Sequence, residues 1–166
     1  VGMGADLAKA YPAARAVFDE IDEALGQDLS RLMCEGPEDK LTLTENAQPA
    51  LMAVSFAAIK VLSTKGVKLK DCVAYVAGHS LGEYSALAAA GSLSVADTAR
   101  LLKTRGKAMQ EAVPVGEGAM AALLGADLDQ ARALAAAAAE GQVCEAANDN
   151  APGQVVVSGE RAAIEA

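Results

Sequence analysis

The junction that most restricts this chain is Cys72-Val-Ala-Tyr-Val-Ala77 running straight into Gly78-His-Ser-Leu-Gly82. The apolar run is short, holds β-branched residues and is bounded by Asp71 and Gly78, which predicts a buried strand. The segment after Gly82 reads as helix to about Ala90, with Gly91 as its stop. G-x-S-x-G between a strand and a helix is the setting in which a serine is lifted clear of a sheet on a tight turn. Glycine at 78 and 82 is expected to remove side chains that would clash there. A serine just ahead of a helix also faces unpaired N–H groups and the positive end of the helix dipole. Two readings follow. One is a capping serine in a glycine-rich turn. The other is a nucleophile at Ser80, with the Leu81 N–H as a donor to an oxyanion.

The flanking sequence supplies helices on one side and a βα pattern on the other. A helix is predicted over 12–25, with Pro12 in its first turn and Gly26 as its stop. Residues 37–46 read as loop and short turns, and 49–66 as a long helix. Ser94, with Asp97 three residues on, starts another helix that ends before Pro114. A change of composition at 115–118 divides domains 1–115 and 116–166. Beyond it come a strand at 120–124, a helix from Asp127 to Gly141, strands near 143–147 and 154–158, and a helix from Glu160. That β-α-β-β order is the opening of a ferredoxin-like unit. Hydrophobic residues make up 52 % of the 166, but many are alanine, which favours helices packed closely on something flat rather than an all-β sandwich. The first residues are Val-Gly-Met-Gly, and the last lie inside a helix, so the reading expects a fragment.

Charge and composition remove several functions. A net charge of −8 argues against nucleic acid as a partner. The apolar stretches 49–59 and 84–95 are too short to span a bilayer, and no basic leader precedes an apolar run at the start. Three widely spaced cysteines without a C-x-x-C pair read as structural thiols in a reducing compartment. One histidine leaves a metal site almost without ligands. Residues 60–107 nevertheless hold eight basic and three acidic side chains. That stretch is either a set of solvated helix ends or a docking face for an acidic partner.

Two further residues bear on chemistry. His79 is next to Ser80, but neighbours in a sharp turn point apart, and a base must reach the oxygen at about 2.6–3.2 Å. A positioning role suits it better. Arg105 has Leu101, Leu102, Ala108 and Met109 at three- and four-residue offsets. Such an arginine either snorkels to water from the edge of the stripe or meets an anion, for which its fork geometry fits a carboxylate.

Gly78-His-Ser-Leu-Gly-Glu-Tyr-Ser-Ala-Leu87 closely resembles the active-serine segment of malonyl-CoA:acyl-carrier-protein transacylases. Gln48-Pro-Ala-Leu51, Arg105-Gly-Lys-Ala-Met-Gln110 and Asn148-Asp-Asn-Ala-Pro-Gly-Gln-Val-Val-Val-Ser-Gly159 follow in the family's order, so the resemblance covers essentially the whole chain. It implies an α/β-hydrolase-like parallel-sheet core with an inserted ferredoxin-like subdomain, the serine lying in the cleft between them. It implies a cytoplasmic enzyme of fatty-acid synthesis that takes malonyl-CoA as substrate, needs no cofactor or metal, and passes malonyl to acyl carrier protein. In it, Ser80 is the nucleophile, the Leu81 N–H joins the oxyanion hole, and Arg105 grips the malonyl carboxylate. Met109 and Asn150 line the cleft more weakly, and Gln48 supports packing at its helix start. Polyketide and multifunctional synthases carry related domains, and a non-catalytic module on the same fold is a third possibility. The family's Gly-Gln-Gly-Ser-Gln segment, the rest of the small subdomain and the catalytic histidine have no counterpart in these residues. The 166 residues alone are therefore expected to fold poorly and turn over little.

Overall fold

The computed structural model describes residues 1–114 and 116–166. Val115, within the expected change of composition, lies outside the described residues. The chain divides into two compact units, Val1–Gln110 and Glu111–Ala166.

The first unit is helical. It contains α1 (Ala5–Ala10), α2 (Pro12–Leu25), α3 (Leu29–Glu35), α4 (Glu38–Thr42), α5 (Thr44–Thr64), α6 (Leu69–Cys72), α7 (Leu81–Ala89) and most of α8 (Val95–Ala112). On α2, Ala14, Val17, Phe18 and Ile21 bury one stripe at helical spacing, and a left-handed Gly26 closes the helix. That stripe packs against Ala50, Met52, Ala53, Phe56, Ala57 and Val61 of α5, with Val95, Ala99 and Leu102 of α8 in the same core. By length and composition α5 could cross a membrane. Its apolar side lies inside this core, as in a core helix.

Three expectations need correction here. Residues 38–42 are helix, and α5 begins at Thr44, so Pro49 stands inside it. The early turn survives because side chains tie it down. Asn46 Nδ2 donates to the Lys40 carbonyl, Gln48 Nε2 donates to Thr44 Oγ1, and both side chains are buried. The run 72–77 is not a buried strand. Cys72 ends α6, Val73 is extended, and Tyr75 is 91 % exposed. An extended segment becomes a strand only beside a partner, and the strands among the described residues pair with one another in the second unit. The three thiols are free, but they are not all packed as structural thiols would be: Cys144 is buried, Cys34 half-buried and Cys72 exposed at a helix end.

The second unit comprises β1 (Gly118–Leu124), α9 (Leu128–Ala139), β2 (Cys144–Ala151), β3 (Gln154–Glu160) and α10 (Arg161–Glu165). The sheet is antiparallel in the order β1-β3-β2. Alternation sends Cys144, Val155 and Val157 inward onto Ala131, Ala135 and Ala163 of the helices, while Met120 and Leu124 face outward. A full capping box, Asp127 with Gln130, starts α9. β2 carries two register irregularities, which leave Ala147 and Asn150 without a partner residue on β3.

α8 starts as the sequence predicts, with Ser94 Oγ accepting from the Asp97 N–H at 3.0 Å. Asp97 does not reach back to the Ser94 backbone. Its carboxylate accepts from the Ser94 hydroxyl at 2.7 Å and from Arg100 at 3.0 Å. The Ser94 hydrogen bond first, then Arg100, hold this carboxyl below its usual range. Because the folded value is the lower one, the contribution to stability is present above the unfolded value and disappears as pH falls through the folded one. Carboxyl NMR titration of the complete protein should show Asp97 titrating below an ordinary aspartate, and Ser94→Ala should move it back up. Ser94→Ala should also lose about 1 kcal/mol of stability in urea unfolding.

Candidate active site

Ser80 immediately precedes α7. Its φ of 52° and ψ of −115° put a non-glycine residue in the left-handed half of backbone space. Such conformations cost about 1–3 kcal/mol and persist only where the surroundings enforce them. The enforcement is visible at Gly78. A Cβ there would lie 2.1 Å from the Gly82 carbonyl carbon, so only glycine lets the two ends of the turn meet. A Cβ at Gly82 would meet open space, which corrects the expectation that both glycines avoid clashes. Two hydrogen bonds close the turn, Gly82 N–H to the His79 carbonyl at 2.8 Å and Glu83 N–H to the Ser80 carbonyl at 3.2 Å. The Leu81 N–H has no acceptor among the described residues, so it remains available beside an exposed hydroxyl.

Arg105 reaches that hydroxyl from α8. Its Nη2 donates to Ser80 Oγ at 3.0 Å and its Nη1 to Gln48 Oε1 at 2.5 Å. The guanidinium carbon stands 5.9 Å from the centre of the Tyr84 ring, one turn along α7 from the serine. Gln48 is only 4 % exposed. Its amide nitrogen is committed to Thr44 Oγ1 at 2.7 Å and Met109 Sδ at 3.3 Å, which turns the amide oxygen toward the arginine. Arginine has donors only, so an oxygen must face it. The pairing depends on Gly106, where a Cβ would fall 2.4 Å from Glu45 Cα. α8 and α5 therefore approach at backbone distance one residue from Arg105.

The apolar stripe inferred around Arg105 is shifted. The buried positions of α8 are Val95, Thr98, Ala99, Leu102 and Gly106, while Leu101 and Met109 are each 45 % exposed. The helix turns its core face through 102 and 106, leaving Arg105 at the margin, half-buried, with its charge directed sideways. Lys103 is likewise drawn in. Its Nζ donates to Gln27 Oε1 and Asn46 Oδ1 at 2.8 Å each and pairs with Glu45 at 3.5 Å, with 18 % of the side chain exposed. This removes Lys103 from the expected docking face, whereas Lys68, Lys70 and Lys107 remain exposed.

His79 is exposed, and its imidazole has no hydrogen bond among the described residues. Met109 touches the site through its sulfur on Gln48. Asn150 belongs to the second unit, half-buried at an irregularity of β2. Sequence reasoning undervalued Gln48 and overlooked Tyr84. Both stand in the segments that carried the resemblance, and a buried glutamine needs a partner. Among the described residues no cluster of three or more His, Cys, Asp and Glu is placed to hold a metal ion.

The family model for the acyl transferase domain matches residues 1–166. Malonyl CoA-acyl carrier protein transacylases of Bacillus subtilis (strain 168) and Escherichia coli (strain K12) are 46 % and 48 % identical to the chain. The alignments take in 99 % of this chain and 51 % and 52 % of those proteins, so the chain spans about half the length of the curated relatives it matches. The crystal structure of acyl-carrier-protein-S-malonyltransferase from Bartonella henselae has a TM-score of 0.91 at 56 % identity, covering 99 % of this chain and 52 % of that one. A type II PKS acyl-carrier protein in complex with its malonyl-transacylase gives 0.90 at 45 % identity, with the same coverage. The mixed α/β architecture, helices with a small antiparallel sheet, is thus that of solved acyltransferases.

The geometry predicts that glycines 106 and 82 behave differently. Gly106→Ala must separate two backbones and should lose about 2 kcal/mol of stability, whereas Gly82→Ala enters open space and should stay within about 0.5 kcal/mol. Thermal denaturation of the complete protein reads both.

Proposed function

Since this chain belongs to the acyl transferase domain family, we propose that it is the serine-bearing part of an enzyme that moves malonyl from coenzyme A to the phosphopantetheine thiol of acyl carrier protein. The observation that carries this reading is the Arg105 guanidinium placed 3.0 Å from Ser80 Oγ. A serine hydrolase has no use for a cation so close to its nucleophile, whereas an acyl group ending in a carboxylate does. Names of the relatives point to the same donor and acceptor.

In the first half-reaction Ser80 Oγ attacks the thioester carbonyl carbon. The serine proton passes to a general base, the C–S bond breaks, and coenzyme A leaves as its thiol. In the second half the carrier thiol gives its proton to the base and attacks the ester carbonyl carbon, the bond from that carbon to Ser80 Oγ breaks, and the serine recovers the proton. The Leu81 N–H and the α7 N-terminus receive the negative charge that builds on the carbonyl oxygen in both halves. Arg105 holds the far carboxylate through a forked pair of hydrogen bonds. Among the described residues Arg105 alone bonds the serine hydroxyl. The base belongs to the histidine that the resemblance places after residue 166, and His79 keeps a positioning role.

In this reading residues 1–115 belong to a hydrolase-like core. Residues 116–166 open the ferredoxin-like subdomain, supported by the β1-β3-β2 order. Met109 serves as a weaker site residue beside Gln48. Coenzyme A enters as a substrate, without a separate cofactor, and free thiols suit a cytoplasmic setting. Exposed Lys68, Lys70 and Lys107 are available to an acidic carrier. One solved relative is described with a type II PKS carrier, which favours a polyketide carrier as the second reading of the acceptor.

Incubating the complete protein with malonyl-CoA should leave a malonyl adduct on Ser80, located by peptide mass spectrometry and absent in Ser80→Ala. Adduct persisting in Ser80→Ala would remove the nucleophile. Arg105→Ala should slow malonyl loading by about a hundredfold, the scale of two charge-assisted hydrogen bonds, while acetyl loading is not slowed. Equal slowing of both would dismiss the carboxylate grip, and absence of any adduct on the unaltered protein would favour a binding module on the same fold.

A further inference from the structure

We propose that Arg105 also restrains Ser80 in the resting site, and that the carboxylate of an incoming acyl group releases it. The inference rests on the reading of Ser80 as nucleophile and Arg105 as carboxylate ligand, and it adds a second source of selectivity to that pair.

Arg105 is anchored on one side and extended on the other. Nη1 is fixed on Gln48, whose amide is itself pinned by Thr44 and Met109, and the Tyr84 ring lies alongside. Nη2 projects from this anchored group onto Ser80 Oγ. A serine hydroxyl has one proton and two lone pairs. Here a cation occupies one lone pair, and no other side chain bonds the oxygen among the described residues.

This contact strengthens the ground state more than the transition state. As Oγ bonds to a carbonyl carbon it becomes an ester oxygen, a poorer acceptor, and the hydrogen bond from Arg105 weakens. An interaction stronger before the reaction than during it raises the barrier. The opposing effect, stabilisation of a serine alkoxide by the cation, is smaller. Proton removal accompanies attack, so little free alkoxide forms. A carboxylate reverses the balance. Charge-assisted hydrogen bonds are about twice as strong as those to a neutral acceptor, so Nη2 leaves the hydroxyl for the carboxylate. An acyl group without a carboxylate offers nothing to draw the arginine off. The arginine therefore discriminates twice, once in binding the malonyl end and once in freeing the nucleophile.

An uncharged dialkyl phosphorofluoridate tests this in the complete protein. Ser80 Oγ displaces fluoride ion from phosphorus, the hydroxyl proton goes to the general base, and the label is followed by intact mass and mapped to its peptide. Acetate, which reproduces the carboxylate end of malonyl and leaves the serine uncovered, is compared with chloride at matched ionic strength. The restraint predicts that acetate speeds labelling of Ser80 by about fivefold, the worth of one modest hydrogen bond. Arg105→Ala should label at the faster rate without acetate and ignore its addition. The acetate comparison uses unaltered protein, so it stands if that variant misfolds. Acetate that slows labelling or leaves it unchanged overturns the restraint while the nucleophile reading stands. Absence of label on Ser80 in every arm overturns both.

Discussion

The approach of α8 to α5 at Gly106 is the constraint on which the site depends. With no side chain at 106, the α8 backbone reaches the Glu45 and Thr44 backbone at a distance that any Cβ would forbid. Arg105, one residue earlier, is thereby carried to the edge of α5 and finds Gln48 at the first turns of that helix. Two residues earlier, Lys103 inserts between Gln27, Asn46 and Glu45 and fixes the same crossing from its polar side. The half-buried charge is tolerable because its donors have acceptors close by. A separation of an ångström or two would free Arg105 to turn toward water, and the site would lose its cation without losing its serine.

The serine is held by a different device. Its unusual backbone conformation is imposed by the contact between Gly78 and Gly82 and by two short-range hydrogen bonds. That turn leaves the Leu81 N–H, at the start of a helix, without an acceptor among the described residues. One element therefore contributes strain and an anion-seeking dipole, and another contributes a guanidinium. They meet because α7 packs on α5, which also carries Gln48. The core helix α5 is the common reference for nucleophile and cation.

Much of this was legible in the sequence, for reasons that separate local from distant effects. α2 could be read to the residue because Pro12 and Gly26 mark its ends and its apolar spacing is regular. The start of α8 at Ser94 and the βαββ order of the second unit were equally local. The start of α5 was missed because Pro49 looks like a beginning, while the bonds from Asn46 and Gln48 that extend the helix backward join residues by tertiary geometry. The run 72–77 has the composition of a strand, yet composition cannot provide the neighbour that makes an extended chain into one. Arg105 stood out, but for an imperfect reason. Its surroundings are the margin of a stripe rather than its middle, and the partner that holds it lies on another helix. Gln48 was visible in a recognised segment, but its bond to Arg105 is a property of the crossing at Gly106.

The central claim is that an anchored guanidinium and a strained serine form one unit on the α5 frame. A crystal structure of the complete protein without substrate, followed by one with malonyl-CoA, examines it most directly. The account predicts Arg105 bonded to both Gln48 and Ser80 Oγ in the first, and still bonded to Gln48 but turned from the hydroxyl to the malonyl carboxylate in the second. Density showing the guanidinium in solvent, away from Gln48 and Ser80 in both states, would contradict it.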